Sequence, residues 1–255
     1  MHWSDSGFIL GVKAHGESST VIHLLTRDHG RHAGLVRGGA GRGLRGVLQP
    51  GNEVSAAWRG RLEEHLGSYT VELTRARAAP LMGDALRLAA LSAACALSEV
   101  ALPERELHPV VYGEFAALMD ALEADVAWPR AYVRWEMRLL ADLGFGLDLA
   151  ACAATGTVEN LIYVSPNTGR AVSKDAGAPW ADRMLALPPF LRPGADPQAP
   201  VPAAEIGEAL TLTAFFLDLH VLALNGVKCR RPGIDSRTES LEPPQHLVVY
   251  NASHG

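Results

Sequence analysis

The chain has 255 residues, 48% of them hydrophobic and 20% charged, with a formal net charge of −5. That composition supports a packed core and excludes wholesale disorder, and the length fits one large domain or two ordinary ones. The opening residues MHWSDSGFIL lack the basic start and long apolar stretch of a secretory signal, and no run of about 18 uncharged apolar residues is present to cross a membrane. Three widely spaced cysteines, Cys95, Cys152 and Cys229, argue against a disulfide framework and fit a reducing cytoplasm.

The first third reads as strands. SGFILGVK, STVIHLLTRD and RHAGLVR are short β-favourable runs with glycine-containing breaks, and NEVSAAWRG and HLGSYTVELTRA follow. Between the third and fourth lies GGAGRGLRG, expected to be a flexible loop with many glycines and no acids. Five short strands with a long basic loop suggest a small barrel, of which the OB type is the commonest, although periodicity does not separate it from other five-stranded folds.

Near Pro80 the pattern changes to helices. Asp84 stands as an N-cap before Leu86, Ala90, Ala93, Leu97 and Val100, and this helix should stop before Pro103. A second helix is predicted from Pro109 to Ala124, with Val110, Phe115, Leu118 and Leu122 as its apolar stripe. A third starts near Pro129, carries Val133, Met137 and Leu140 inward, and ends at Gly144. Residues 150–200 are rich in turn formers, with one strand candidate, LIYVS, a hairpin turn at SPNTGR, and a connector from Pro188 to Pro202. A last helix is predicted from Ala203 to Asn225, burying Ile206, Leu210, Phe216 and Leu219 or Leu222, before a polar, basic tail.

Charge is divided along the chain. Residues 1–80 hold ten Lys/Arg against seven Asp/Glu, whereas residues 81–255 hold thirteen against twenty-one. From His29 to Asn52 there is no acid, and Arg31, Arg37, Arg42 and Arg45 fall in that stretch. An unbalanced cationic cluster of this kind attracts phosphates or another anion.

The chemistry-bearing motifs are mostly absent. Gly41, Gly43 and Gly46 match G-x-G-x-x-G, but Pro50-Gly51 leaves no room for the helix whose amide groups would hold a pyrophosphate. There is no P-loop, no G-x-S-x-G and no cysteine nucleophile motif. Six of ten histidines lie in the first 65 residues without HExxH or cysteine partners. Around Cys152 a zinc ribbon would need four soft ligands, and this segment offers one cysteine. No enzyme, cofactor or metal is expected. Trp3, Phe8, Trp58 and Tyr69 either stack on bases or fill the barrel core.

The ordered series GFILGVKAHGESSTVIHLLTRDHGRHAGLVRGGA, LQPGNEVSAAWRGR, LPERELHPVVYGEFAALMDAL and WEMRLLADLGFGLDLAACAATG resembles the RecO family of bacterial recombination mediators over nearly the whole chain. The resemblance implies an α+β protein: an N-terminal five-stranded OB-fold β-barrel over about residues 1–80, then a helical domain over 81–255 with a zinc-ribbon-like insertion at about 150–180. It implies binding to single- and double-stranded DNA, annealing without ATP, attachment to the acidic C-terminal tail of the single-stranded-DNA-binding protein, and, with RecR, loading of RecA. Many relatives carry four cysteines where Cys152, Thr155, Ser173 and Ala176 stand, so the ribbon here is expected to be metal-free. Carried over by position, Arg31, Arg37, Arg42 and Arg45 border the DNA groove, and Arg59 and Arg61 lie on an adjoining loop. Lys228, Arg230, Arg231 and Arg237 are the candidate rim for the acidic tail. The competing readings are an OB-fold adaptor that binds protein and an enzyme with an unrecognised hydrolytic site.

Overall fold

Five strands form the core of the N-terminal unit of this computed structural model, which describes residues 1–125 and 127–223. β1 (His2–His15), β2 (Ser19–Thr26), β3 (Gly30–Val36), β4 (Glu53–Arg59) and β5 (Ser68–Arg75) close into a barrel in the order β1-β2-β3-β5-β4. Closure depends on β1, which is long enough to serve two neighbours. Its first half pairs antiparallel with β4, from His2 opposite Arg59 to Phe8 opposite Glu53. Its second half pairs with β2, from Gly7 opposite Thr26 to His15 opposite Ser19. β3 runs parallel to β5 and meets it at Leu35 and Ser68. This is the OB-type arrangement.

The two-residue period of a strand decides what fills the barrel. On β4, Val54, Ala56 and Trp58 are buried while Ser55, Ala57 and Arg59 face out. Ile9, Ile22, Leu24, Val36 and Tyr69 complete the interior. Trp58 and Tyr69 therefore fill the barrel, with Trp3 half-buried beside them, whereas Phe8 is buried against Tyr112 and Phe115.

The glycine-rich stretch expected as a flexible loop contains one helical turn, α1 (Arg42–Arg45), and Leu44 and Val47 pack on the barrel core. A single turn is still too short for a dinucleotide site. Buried Asn52 fastens the end of this stretch. Its Nδ2 donates to the carbonyls of Gly46 (3.0 Å) and Val47 (3.1 Å), and its Oδ1 accepts from the amides of Arg77 (2.9 Å) and Ala78 (3.3 Å). Asn52→Ala removes all four bonds at once and should cost about 2–4 kcal/mol in urea unfolding. A loss under about 1 kcal/mol would show that Asn52 is not a fastener.

Three helices complete this unit: α2 (Ala78–Leu81), α3 (Ala85–Ala101) and α4 (Pro109–Ala124). Asp84 caps α3 as expected, its Oδ1 accepting from the amides of Leu86 and Arg87, each at 3.0 Å. α4 begins and ends where the sequence predicts, but its phase differs. Val111, Phe115, Leu118, Met119 and Leu122 are buried, and Val110, expected inside, is 53% exposed. Val111 is four residues before Phe115, and that spacing sets the buried face.

The second unit contains α5 (Trp128–Asp142), a small sheet of β6 (Leu161–Val164), β7 (Ala171–Ser173) and β8 (Leu185–Ala186) in the order β7-β6-β8, the short α6 (Lys174–Gly177) and α7 (Ala203–Leu217). α5 and α7 pack together. The last helix, expected to continue to Asn225, changes at Asp218 into a wider turn over Asp218–Leu222, where Leu222 is buried and Leu219 exposed. No helix among the described residues is long and apolar enough to cross a membrane.

Candidate nucleic-acid interface

An OB barrel usually takes a nucleic-acid strand across β2 and β3, flanked by the loops after β1 and β4. Here the outer side of β2 and β3 is covered by the same chain. Glu99 of α3 lies 3.1 Å from Lys13 Nζ and 3.5 Å from His23 Nδ1. Past α3, the Arg105 amide donates to the Arg31 carbonyl at 2.7 Å. Gly30 (φ +66°) passes so close to the Glu106 carbonyl that a Cβ there would stand 1.9 Å from it. Leu25 and Ala33 are buried on this side.

Arg31 therefore has a structural task. Its Nε donates to the Leu102 carbonyl at 2.6 Å, and its guanidinium lies 3.3 Å from His23 Nδ1 and 3.6 Å from Glu104. It is the one member of the predicted cationic set that the fold engages in this way.

The other five arginines are exposed, and none has an ion pair or side-chain hydrogen bond among the described residues. Arg37, Arg42 and Arg45 stand on the glycine-rich stretch. That stretch is held to the β1–β2 turn by the Ala40 amide donating to the Ser18 carbonyl at 3.1 Å. Gly39 allows this approach, since a Cβ there would meet the Thr20 hydroxyl at 2.0 Å. Arg59 ends β4, and Arg61 follows on the loop to β5. Register puts Leu35, Ser68 and Arg59 in one row across β3, β5 and β4. Two strand spacings are roughly 10 Å. Arg59 thus lies roughly that far from Leu35, two residues before Arg37. Beside Arg59 on the same outward side, Ser4, Ala57 and Thr70 form an exposed row of small side chains. The arrangement offers exposed cations around an uncovered surface, which suits phosphate neutralisation without base recognition.

The four tail residues Lys228, Arg230, Arg231 and Arg237 lie outside the described residues.

The segment around Cys152 is held by hydrogen bonds. Cys152 is buried, its amide donates to the Thr157 carbonyl at 2.7 Å, and the Ala153 amide donates to the Ala171 carbonyl at 2.8 Å. The Ser173 amide donates to Cys152 Sγ at 3.3 Å. Burial pushes this thiol up, but the hydroxyls of Ser173 and Thr155 and the amides of Ser173 and Ala154 outweigh it and hold the pKa at about 6. One sulfur among hydroxyls does not fit Zn²⁺, and no group of three or more His, Cys, Asp or Glu among the described residues is placed to hold a metal. A thiol whose pKa falls on folding stabilises the fold most above its unfolded value near 9, and that stability is lost as pH drops through about 6. The penalty of Cys152→Ala in chemical denaturation should therefore be larger at pH 9 than at pH 6. An equal penalty at both would mean that the sulfur contributes packing alone.

Two features were not anticipated from sequence. Asp5, whose side chain is 3% exposed, accepts from the Ser6 and Asp28 amides and lies 3.0 Å from His29 Nδ1. His29 in turn stacks on Trp3 with centroids 3.9 Å apart. These contacts join β1 to the β2–β3 turn, and a single sequence carries no signal for them. The second feature is Glu136, wholly buried on α5 with Oε2 accepting from the Thr213 hydroxyl of α7. A signal for it existed, because Glu136 falls four residues before Leu140 and three after Val133, inside the apolar stripe.

The fold defines the class: an α+β protein with an N-terminal OB-type barrel followed by helices and a small sheet. The family model for the N-terminal part of recombination protein O matches residues 1–77, and the model for its C-terminal part matches residues 82–225. Among curated proteins, the chain is 54% identical over 226 residues to the DNA repair protein RecO of Rhodospirillum centenum, covering 88% of each chain. It is 51% identical to that of Rhodospirillum rubrum, covering 89% of this chain and 91% of the relative, and 49% identical to that of Cereibacter sphaeroides, covering 95% and 98%. The chain belongs to the RecO family.

Proposed function

We propose that this protein is a DNA-binding recombination mediator acting in DNA repair. The observation that carries the reading is the acid-free stretch with Arg37, Arg42 and Arg45, exposed, unpaired among the described residues and anchored to an OB-type barrel. Family membership supports the same reading. Guanidinium groups on a tethered, glycine-rich arm neutralise phosphates of a strand without fixing its sequence. Two strands held this way repel each other less, so complementary bases pair with no nucleotide hydrolysed.

Arg59 and Arg61 extend the cationic surface past β4. The basic tail, with Lys228, Arg230, Arg231 and Arg237, is suited to the acidic C-terminal tail of the single-stranded-DNA-binding protein. With RecR, the protein then helps load RecA onto coated single strands in the cytoplasm. No catalytic step is assigned to it.

The test is annealing of two complementary labelled oligonucleotides without ATP, followed by energy transfer. Acceleration by the wild-type protein, lost on substituting the three loop arginines, is the expected outcome. Annealing that requires ATP, or that is no faster than without protein, would overturn the reading.

A further inference from the structure

On the barrel, away from the glycine-rich arm in sequence, lies a cleft of about 440 Å³. Its aromatic lining is Trp3, His29 and His32. Trp3 stacks on His29 at 3.9 Å and 8°, and buried Trp58 supports it at 5.8 Å and 19°. Buried His32 sets its edge against Trp3 at 5.0 Å, and its Nδ1 is 3.0 Å from the Tyr69 hydroxyl. Because Trp3 covers one face of the His29 ring, the 31% exposure of that side chain belongs to its other side.

The rim is acidic and pre-formed. Asp28, Glu63 and Glu64 line the cleft, against one cation, Arg105. That cation is already engaged, because Arg105 Nη2 donates to the carbonyls of Glu64 (3.1 Å) and His65 (3.3 Å). The same loop is fastened a second time by Trp58 Nε1 donating to the Leu66 carbonyl at 3.1 Å. Leu107 on one wall is 57% exposed, and Leu62 and Leu66, on the loop that carries Glu63 and Glu64, are 44% and 40% exposed.

We infer that this cleft is a docking site for a partner protein segment that inserts an arginine flanked by apolar side chains. A planar guanidinium lies flat on an aromatic surface while its fork of N–H groups meets carboxylates, and the leucines accept the apolar neighbours. Charge decides between this occupant and a flipped nucleobase. A base brings its own phosphates, and three carboxylates at the rim repel them. The inference does not depend on the DNA reading, which rests on other residues.

The probe is a labelled short peptide with a central Leu-Arg-Leu, compared with the same peptide carrying glutamine or glutamate at the centre, titrated onto the full chain. The arginine peptide should bind at least about tenfold more tightly than either control. The double variant Glu63→Gln/Glu64→Gln should lose about tenfold of that affinity while binding of a labelled single-stranded oligonucleotide is not weakened. Both carboxylates are exposed and without side-chain partners among the described residues, so the fold is not at risk. Equal binding of arginine and glutamine peptides, or an unchanged affinity in the double variant, would overturn the proposal. So would an oligonucleotide that displaces the peptide and itself weakens in the double variant, which would assign the cleft to a base. Self-association of the wild type that the double variant abolishes would assign it to a second copy.

Discussion

Replacing Arg37, Arg42 and Arg45 together by glutamine should weaken binding to single-stranded DNA by about 100-fold at low salt. The estimate follows from three lost phosphate contacts of about 1 kcal/mol each. The slope of log affinity against log salt should become shallower by about 2, since each contact on a single strand contributes roughly 0.7. Stability should change by less than about 0.5 kcal/mol, because the three side chains are exposed and pair with no described residue. Arg31→Gln should do the reverse. It loses the bonds to Leu102 and Glu104 and so lowers stability, with little change in salt slope. Fluorescence anisotropy with urea unfolding separates the two. A triple variant that binds DNA like the wild type would remove the glycine-rich arm from the interface.

The second large effect concerns Glu136. Burial raises this carboxyl to about pH 8, and the hydrogen bond from Thr213 lowers it only in part. It is therefore largely neutral in the folded protein at neutral pH but ionised once unfolded. The sign follows from linkage. A carboxyl raised on folding adds no penalty below its unfolded value near 4.5, and stability falls as pH climbs from there to about 8. The full cost above that range is on the order of 5 kcal/mol. Glu136→Gln removes the ionisation while keeping an acceptor for Thr213. It should leave stability within about 1 kcal/mol of wild type at pH 5 and raise it by about 4 kcal/mol at pH 8. Chemical denaturation of both proteins at the two pH values measures this. A difference that does not grow with pH would mean that Glu136 is ionised and paired in the folded state.

The barrel was legible because each strand is a short β-favourable run set off by glycine-containing breaks. The runs around Ile9, Ile22, Ala33, Val54 and Tyr69 all became strands of one sheet. Closure was not legible, since it depends on pairing His2 with Arg59 and Leu35 with Ser68, far apart in sequence. The same gap hid the cleft. Trp3 and Trp58 share a face only because of that register, and His29 stacks on Trp3 with its Nδ1 3.0 Å from Asp5 across the β2–β3 turn. Helix positions followed from caps and prolines, whereas phase was harder. At the start of α4 two adjacent valines compete, and the pattern does not say which faces inward. Of the predicted cations, those on glycine-rich sequence are exposed and without side-chain partners among the described residues. Arg31 lies within a strand, where a covering segment gave it partners that local sequence does not reveal.

Whether this chain holds nucleic acid by its phosphates is read from the anisotropy of a labelled single-stranded oligonucleotide with the wild-type protein between about 50 and 200 mM salt. The expected result is tight binding at the low end that falls linearly on logarithmic axes, with a slope of about −2 to −3.5 for three to five arginines. Binding that is absent, or that stays level across the series, would contradict it.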